Sequence, residues 1–201
     1  MMLAALDSIE TQQAIPKSKT MRKIKQLLDY AATHMDAAVT YRASNMVLAA
    51  NIDAYYLSET KARSRAGGHF FMASDIAVPE NNGAVHTVDQ MIKTVMSSAA
   101  EEELGALYIN CPEAIPARHL LEAMGHKQPP TPMKNDNSTA LGVVTNKIQP
   151  KQTKAMDTNF HWLRCRGNQC QFRTYWRAGP TNKGNYVTKH HAALHNKTVR
   201  S

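Results

Sequence analysis

Cysteine is scarce: Cys111, Cys165 and Cys170 are the only three in 201 residues. They are too few and too scattered for a disulfide framework, which points to a reducing compartment. No apolar run approaches the roughly 18 residues needed to cross a bilayer. The opening MMLAALDSIETQQ has no basic stretch ahead of an apolar one, so no secretory leader is expected. Internal repeats and low-complexity tracts are missing too. Acidic residues are outnumbered, with Asp and Glu totalling 16 against 24 Lys and Arg, for a net charge of +8. A basic surface favours polyanions through counterion release. Alone it names no partner, and it gains meaning only beside a site that acts on phosphates. What is present, 43% hydrophobic and 20% charged residues, describes a soluble globular chain able to form one domain plus an extension.

Residues 1–19 are polar and read as a loose lead-in. From Thr20 to about Thr33, Ile24, Leu27, Leu28 and Ala31 recur at helical spacing among Arg22, Lys23 and Lys25. That predicts an amphipathic helix laying its stripe on a neighbouring domain. The period changes at Met46. MVLAANIDAYYL, GGHFFMAS and VDQMIKTVM read as three strands, with Asn, Gly and Pro between them. Ser97–Ser98 opens a helix, Ser98 and Glu101 have capping-box spacing, and Leu104, Leu107 and Tyr108 form its buried stripe. Pro112 is expected to end this helix and Pro116 to begin the next, down to Gly125. MKND reads as a short strand and NSTALGVVTN as a helix. Gln152 to Arg166 reads as a helix with Met156, Phe160 and Leu163 inward, and QCQFRTYW as the last strand. The order predicts an α/β chain whose first three strands form a meander.

Phosphodiester hydrolysis with two metals needs carboxylates converging from separate elements, because Mg²⁺ prefers hard oxygen ligands. Three acids stand in suitable places. Asp53 follows the apolar strand Met46–Ile52, Glu103 lies one turn past the cap of the first long helix, and Asp136 ends the strand MKND. Each has an ordinary reading as well: a turn or cap aspartate, a glutamate favoured near a helix N-terminus. Spacing alone does not join them.

From about Met46 to His195 the chain resembles the ribonuclease H domain of copia-type retrotransposons. Five blocks carry the resemblance in order: IDAYYLSETKARSRAGGHFF, VMSSAAEEELGAL, KNDNSTA, KAMDTNFHWLR and TNKGNYVTKHH. It implies a mixed five-stranded sheet flanked by helices, over residues 46–195, with a short tail at 196–201. It also implies that Asp53, Glu103 and Asp136 are catalytic and hold Mg²⁺ or Mn²⁺. Glu101 and Glu102 lie close by, but the run Leu104, Gly105, Ala106 places Glu103 in register. The family's fourth acid falls on Asn185, counted back from Thr188–Lys189, and Gly184 stands for the preceding alanine. Asparagine keeps the shape and an acceptor oxygen but not the charge, so Asn185 is expected to be a weak ligand at most.

Other candidates carry two readings. Lys61, Arg63 and Arg65 form a basic cluster that can meet nucleic-acid phosphates or simply line a solvated turn. Asn137 and Ser138 can reach the hybrid backbone or a 2′-hydroxyl, or cap a helix. Asp157 and His161 make a structural i,i+4 pair. Cys165 and Cys170 with His190, His191 and His195 fit no strong zinc template. Residues 1–45, notably TMRKIKQLLDYAATHMD, resemble the link between the family's reverse transcriptase and its ribonuclease H. The resemblance thus implies a piece of a longer polyprotein, with the reverse transcriptase portion and an RNA–DNA hybrid as partners and no membrane. The implied location is intracellular: cytoplasm, virus-like particles or nucleus. The expected activity is metal-dependent endonucleolytic cleavage of the RNA strand of the hybrid. The alternative, pointed to by Asn185, is a weakened or inactive nucleic-acid-binding remnant.

Overall fold

The computed structural model describes residues 3–59, 62–145 and 157–189. Lys61, Met156 and the tail histidines His190, His191 and His195 lie outside the described residues, as does the side chain of Asp157.

The lead-in is not loose. Its LAALDSIE stretch consists largely of good helix formers and makes α1, Leu3–Glu10, ahead of α2, Ser18–Thr33. The two helices are tied by Lys23 Nζ donating to Ser8 Oγ at 2.9 Å and Thr20 Oγ1 donating to Gln12 Oε1 at 2.9 Å. On α2, Met21 and Leu28 stay exposed.

Three strands follow as a meander: β1, Val47–Glu59; β2, Arg63–Ala73; β3, Ala84–Ile92. β2 and β3 both begin four residues earlier than their apolar runs, because hairpin pairing extends them: Glu59 faces Arg63, and Phe71 faces Ala84. Next come α3, Ala99–Ala123; β4, Thr131–Asn135; α4, Ser138–Val144; α5, Asp157–Asn168; β5, Phe172–Trp176; and α6, Asn185–Thr188. The sheet order is β3-β2-β1-β4-β5, antiparallel on the β2 side of β1 and parallel from β1 to β5. The first three strands form the meander that the element order predicts, and the whole is the mixed five-stranded sheet that the resemblance implies.

The expected break between Pro112 and Pro116 does not occur; α3 is one helix with both prolines inside it. Both are exposed and stand four residues apart, so the bonds they remove are lost on the solvent side, where water can reach the freed carbonyls. The opposite side, with Leu104, Leu107, Cys111, Ala114 and Leu121, is buried against Leu48, Ala50, Ile52, Ala54, Ala66 and Phe70. Val143, Phe160, Leu163 and Phe172 close this core. The expected cap is only half formed. Ser98 Oγ accepts from the Glu101 backbone N–H, but the Glu101 carboxylate turns to Ser97.

Two adjacent glycines set how closely the sheet is covered. A Cβ on Gly68 would lie 1.8 Å from Asn110 Oδ1 of α3, and one on Gly67 would lie 2.5 Å from the Thr188 methyl of α6. Adjacent strand residues face opposite sides. The pair therefore lets α3 approach one face and the C-terminal segment the other.

Candidate active site

β1 and β4 run parallel but pair only briefly, at Ala50–Met133 and Asn51–Lys134. Beyond that point the two strands split: β4 ends at Asn135, while β1 runs on to Glu59 against β2 alone. Asp53 sits on β1 at the split and is fully buried. Alternation along β1 puts it on the face opposite the main core, and Gly184, just ahead of α6, packs against its Cβ. Glu103 comes from α3 on the other side. With β4 ended, the Ala54 N–H is free to bind it: Glu103 Oε1 accepts that bond at 3.2 Å, and Oε2 accepts from Asn135 Nδ2 at 2.8 Å. Asp136 follows β4, and its backbone carbonyl accepts from Trp176 Nε1 at 2.9 Å. One carboxylate oxygen from each of Asp53, Glu103 and Asp136 can be chosen so that all lie within 4.8 Å of one another. This is the one such acidic, histidine or cysteine cluster among the described residues.

The electrostatics follow from that crowding. Burial pushes the Glu103 carboxyl well above its usual range, and the charges of Asp53 and Asp136 push it further. Burial also raises Asp53, opposed by the Lys189 ammonium and by hydrogen bonds from Thr188 and Lys189. Three carboxylates that repel one another at the mouth of a sheet, all hard oxygen donors, are the donor set a divalent cation needs. The residues present therefore fit Mg²⁺ or Mn²⁺. Neighbouring Glu102 does not compete. It is buried, accepts from Ser64 Oγ, and stands above the usual carboxyl range through burial.

Asn185 opens α6 beside this cluster. Its Nδ2 donates to the Gly179 carbonyl at 2.9 Å and its Oδ1 accepts from Lys189 Nζ at 2.5 Å. Asn137 caps α4, its Oδ1 accepting from the N–H groups of Thr139 and Ala140 at 3.0 and 3.1 Å, and Ser138 is the exposed first residue of that helix. Arg63 is partly exposed on β2. Arg65 does not belong to a surface cluster. It is 3% exposed and paired with Asp89 at 2.5 Å across β2 and β3, because extending the hairpin draws it into the sheet. Cys165 and Cys170 are exposed and free.

Four participants escape sequence reasoning. Asn135 is buried and orients Glu103, with its Oδ1 accepting from the Asn137 N–H at 2.7 Å. Thr188 donates to Asp53 Oδ2, and Lys189 Nζ lies 3.0 Å from Asp53 Oδ1. Lys134, buried on β4, donates to Thr181 Oγ1 at 2.8 Å; burial brings its ammonium down to about 8. Thr188 and Lys189 stand in the TNKGNYVTKHH block, but their pairing with Asp53 spans 135 and 136 positions and leaves no local signal.

No protein-family model and no curated protein sequence matches the chain. Solved structures do. A ribonuclease H1 isolated from compost by a metagenomic approach superposes with a TM-score of 0.52 at 9% identity, over 71% of this chain and 92% of that one. The N-terminal RNase H domain of a Mycobacterium tuberculosis protein, solved fused to maltose-binding protein, also gives 0.52, at 10% identity over 77% and 99%. At such identities the likeness concerns the backbone alone, and on that ground the chain has a ribonuclease H-like fold.

Proposed function

We propose that this chain is a divalent-metal-dependent ribonuclease H, cutting the RNA strand of RNA–DNA hybrids as the C-terminal part of a copia-type retrotransposon polyprotein. The observation that carries the reading is the meeting of Asp53, Glu103 and Asp136 at the split between β1 and β4 of a ribonuclease H-like sheet. Asp53, Glu103 and Asp136 would hold Mg²⁺ or Mn²⁺, with Asn185 at the periphery as an uncharged fourth donor. Such ions supply Lewis-acid activation of water and stabilisation of the leaving oxygen. The protein holds the carboxylates ready: Asn135 and the Ala54 N–H fix Glu103, and Thr188 fixes Asp53. Arg63, Asn137 and Ser138 would meet the hybrid backbone in this reading, Lys61 is proposed as a further phosphate contact from its place in the sequence, and Arg65 supports the sheet. Lys134, with Arg177 and Lys183 near enough to act on its charge, adds positive charge on the Asp136 side. Residues 1–45 serve as the connection to a reverse transcriptase, on which the exposed side chains of α2 would pack.

A second reading, a nucleic-acid-binding remnant without catalysis, is favoured by Asn185 at the fourth position. Incubation of the chain with a hybrid labelled on its RNA strand, across a Mg²⁺ series, separates the two. Cleavage that Asp53→Asn abolishes supports the enzyme; binding without cleavage at every metal concentration supports the remnant.

A further inference from the structure

We propose that the Lys189 ammonium is a resident counter-cation of the carboxylate cluster, and that a divalent ion reaches Asp53 only by displacing it. This rests on the cluster being a metal site, as proposed above.

Both oxygens of Asp53 are engaged. Oδ2 accepts from the Thr188 hydroxyl, and Oδ1 holds Lys189 Nζ at 3.0 Å. A neutral hydroxyl can share a carboxylate with a metal ion. An ammonium cannot do so without placing two positive charges a few ångströms apart. Lys189 also binds Asn185 Oδ1 at 2.5 Å, so it bridges the first-strand acid and the residue at the fourth position. Its backbone is held in place. Its N–H donates to Asn185 O at 2.9 Å, Asn182 Nδ2 donates to the Ile52 carbonyl at 2.7 Å, and Gly184 N–H donates to Asn182 Oδ1 at 3.0 Å. The segment is thus laced to β1, and the ammonium is delivered to the site by structure. The side chain is one-third exposed, and the Tyr55 ring lies 5.9 Å from the ammonium. A rotation of the stem would take the charge from Asp53 to that ring face, where a cation is still attracted. With Asn at 185, Lys189 supplies a positive charge where the site has one carboxylate fewer to hold an ion.

The test is Mn²⁺ binding to the full chain without nucleic acid, read as free Mn²⁺ by electron paramagnetic resonance. Lys189→Met is expected to bind Mn²⁺ about tenfold more tightly than the unmodified chain, and Lys189→Arg is expected to gain nothing. Without metal, Lys189→Met should melt lower, since buried Asp53 loses its cation, and Mn²⁺ should raise its melting temperature more than that of the unmodified chain. If it folds only with Mn²⁺ present, the proposal is supported in the same sense; failure to fold even then overturns it. Equal Mn²⁺ affinity in Lys189→Met and the unmodified chain, with binding lost in Asp53→Asn, overturns the role of Lys189 and leaves the metal site standing. Absence of Mn²⁺ binding in every variant removes both.

Discussion

At the scale of single residues, the cluster is a site of stored repulsion. Glu103 and Asp53 ionise at higher pH in the folded chain than in the unfolded one, through burial first; Asp136 adds to the effect on both. Between the ordinary carboxylate range and the raised range, the folded chain keeps protons that the unfolded chain has released. The contribution of these groups to metal-free stability is therefore greatest below the ordinary range and is lost as pH rises through the raised one. Asp136→Asn removes one charge from the group and is expected to stabilise the metal-free fold by about 1 kcal/mol, or ~2–4 °C in melting temperature, near neutral pH. Melting curves compared at about pH 4 and pH 8 should show the advantage opening as pH rises; a variant less stable than the unmodified chain throughout would contradict the account. Asn185→Asp is expected to lower the Mg²⁺ concentration for half-maximal cleavage roughly tenfold, by adding a charge at short range. Its gain is limited because a carboxylate at 185 loses the Nδ2 bond to the Gly179 carbonyl. An unchanged Mg²⁺ curve would show that position 185 takes no part. The triad was legible in the sequence because its three blocks resemble a known family in order. Lys189 was not: its partner Asp53 is 136 positions away, and no local spacing encodes that pairing.

At the scale of elements, patterning fixed the kinds of element and tertiary packing set their limits. The period-2 run from Met46 and the apolar stripe of α3 were readable because burial demands them. The extra residues at the start of β2 and β3 come from hairpin pairing rather than burial. The uninterrupted course of α3 through Pro112 and Pro116 comes from a buried face strong enough to outweigh two missing backbone bonds, which local rules weigh the other way. The GGHFF block reads as strand, but the need for glycine at 67 and 68 emerges only from the cover packed on both faces of the sheet. Gly68→Ala should therefore destabilise the fold by about 1–3 kcal/mol by pressing on Asn110. Asn110→Ala in the same chain should recover part of that loss, because the obstructing side chain is gone. Chemical denaturation of the two single variants and the double variant checks this, and strict additivity would mean that the two residues do not touch.

At the scale of the whole molecule, the proposed function gives the charge of +8 an expected role beside the site. Hybrid affinity is expected to fall steeply with salt, because each phosphate contact releases counterions. Fluorescence anisotropy between about 50 and 200 mM salt measures the slope; a flat line would mean that the basic surface is not the binding face. Burial of Arg65 against Asp89 already moves one expected contact from that surface into the sheet. The most direct measurement of the central claim uses a DNA duplex in which one strand carries a short run of ribonucleotides, with Mg²⁺ and end analysis of the products. Water attack on phosphorus leaves no 2′,3′-cyclic phosphate, so cleavage is expected to be confined to the ribonucleotide run, with no cyclic ends. The all-DNA duplex should stay intact, and cleavage should be lost in Asp53→Asn, Glu103→Gln and Asp136→Asn. Cyclic ends, equal cutting of the all-DNA duplex, or cleavage surviving in Asp53→Asn would contradict the proposed function.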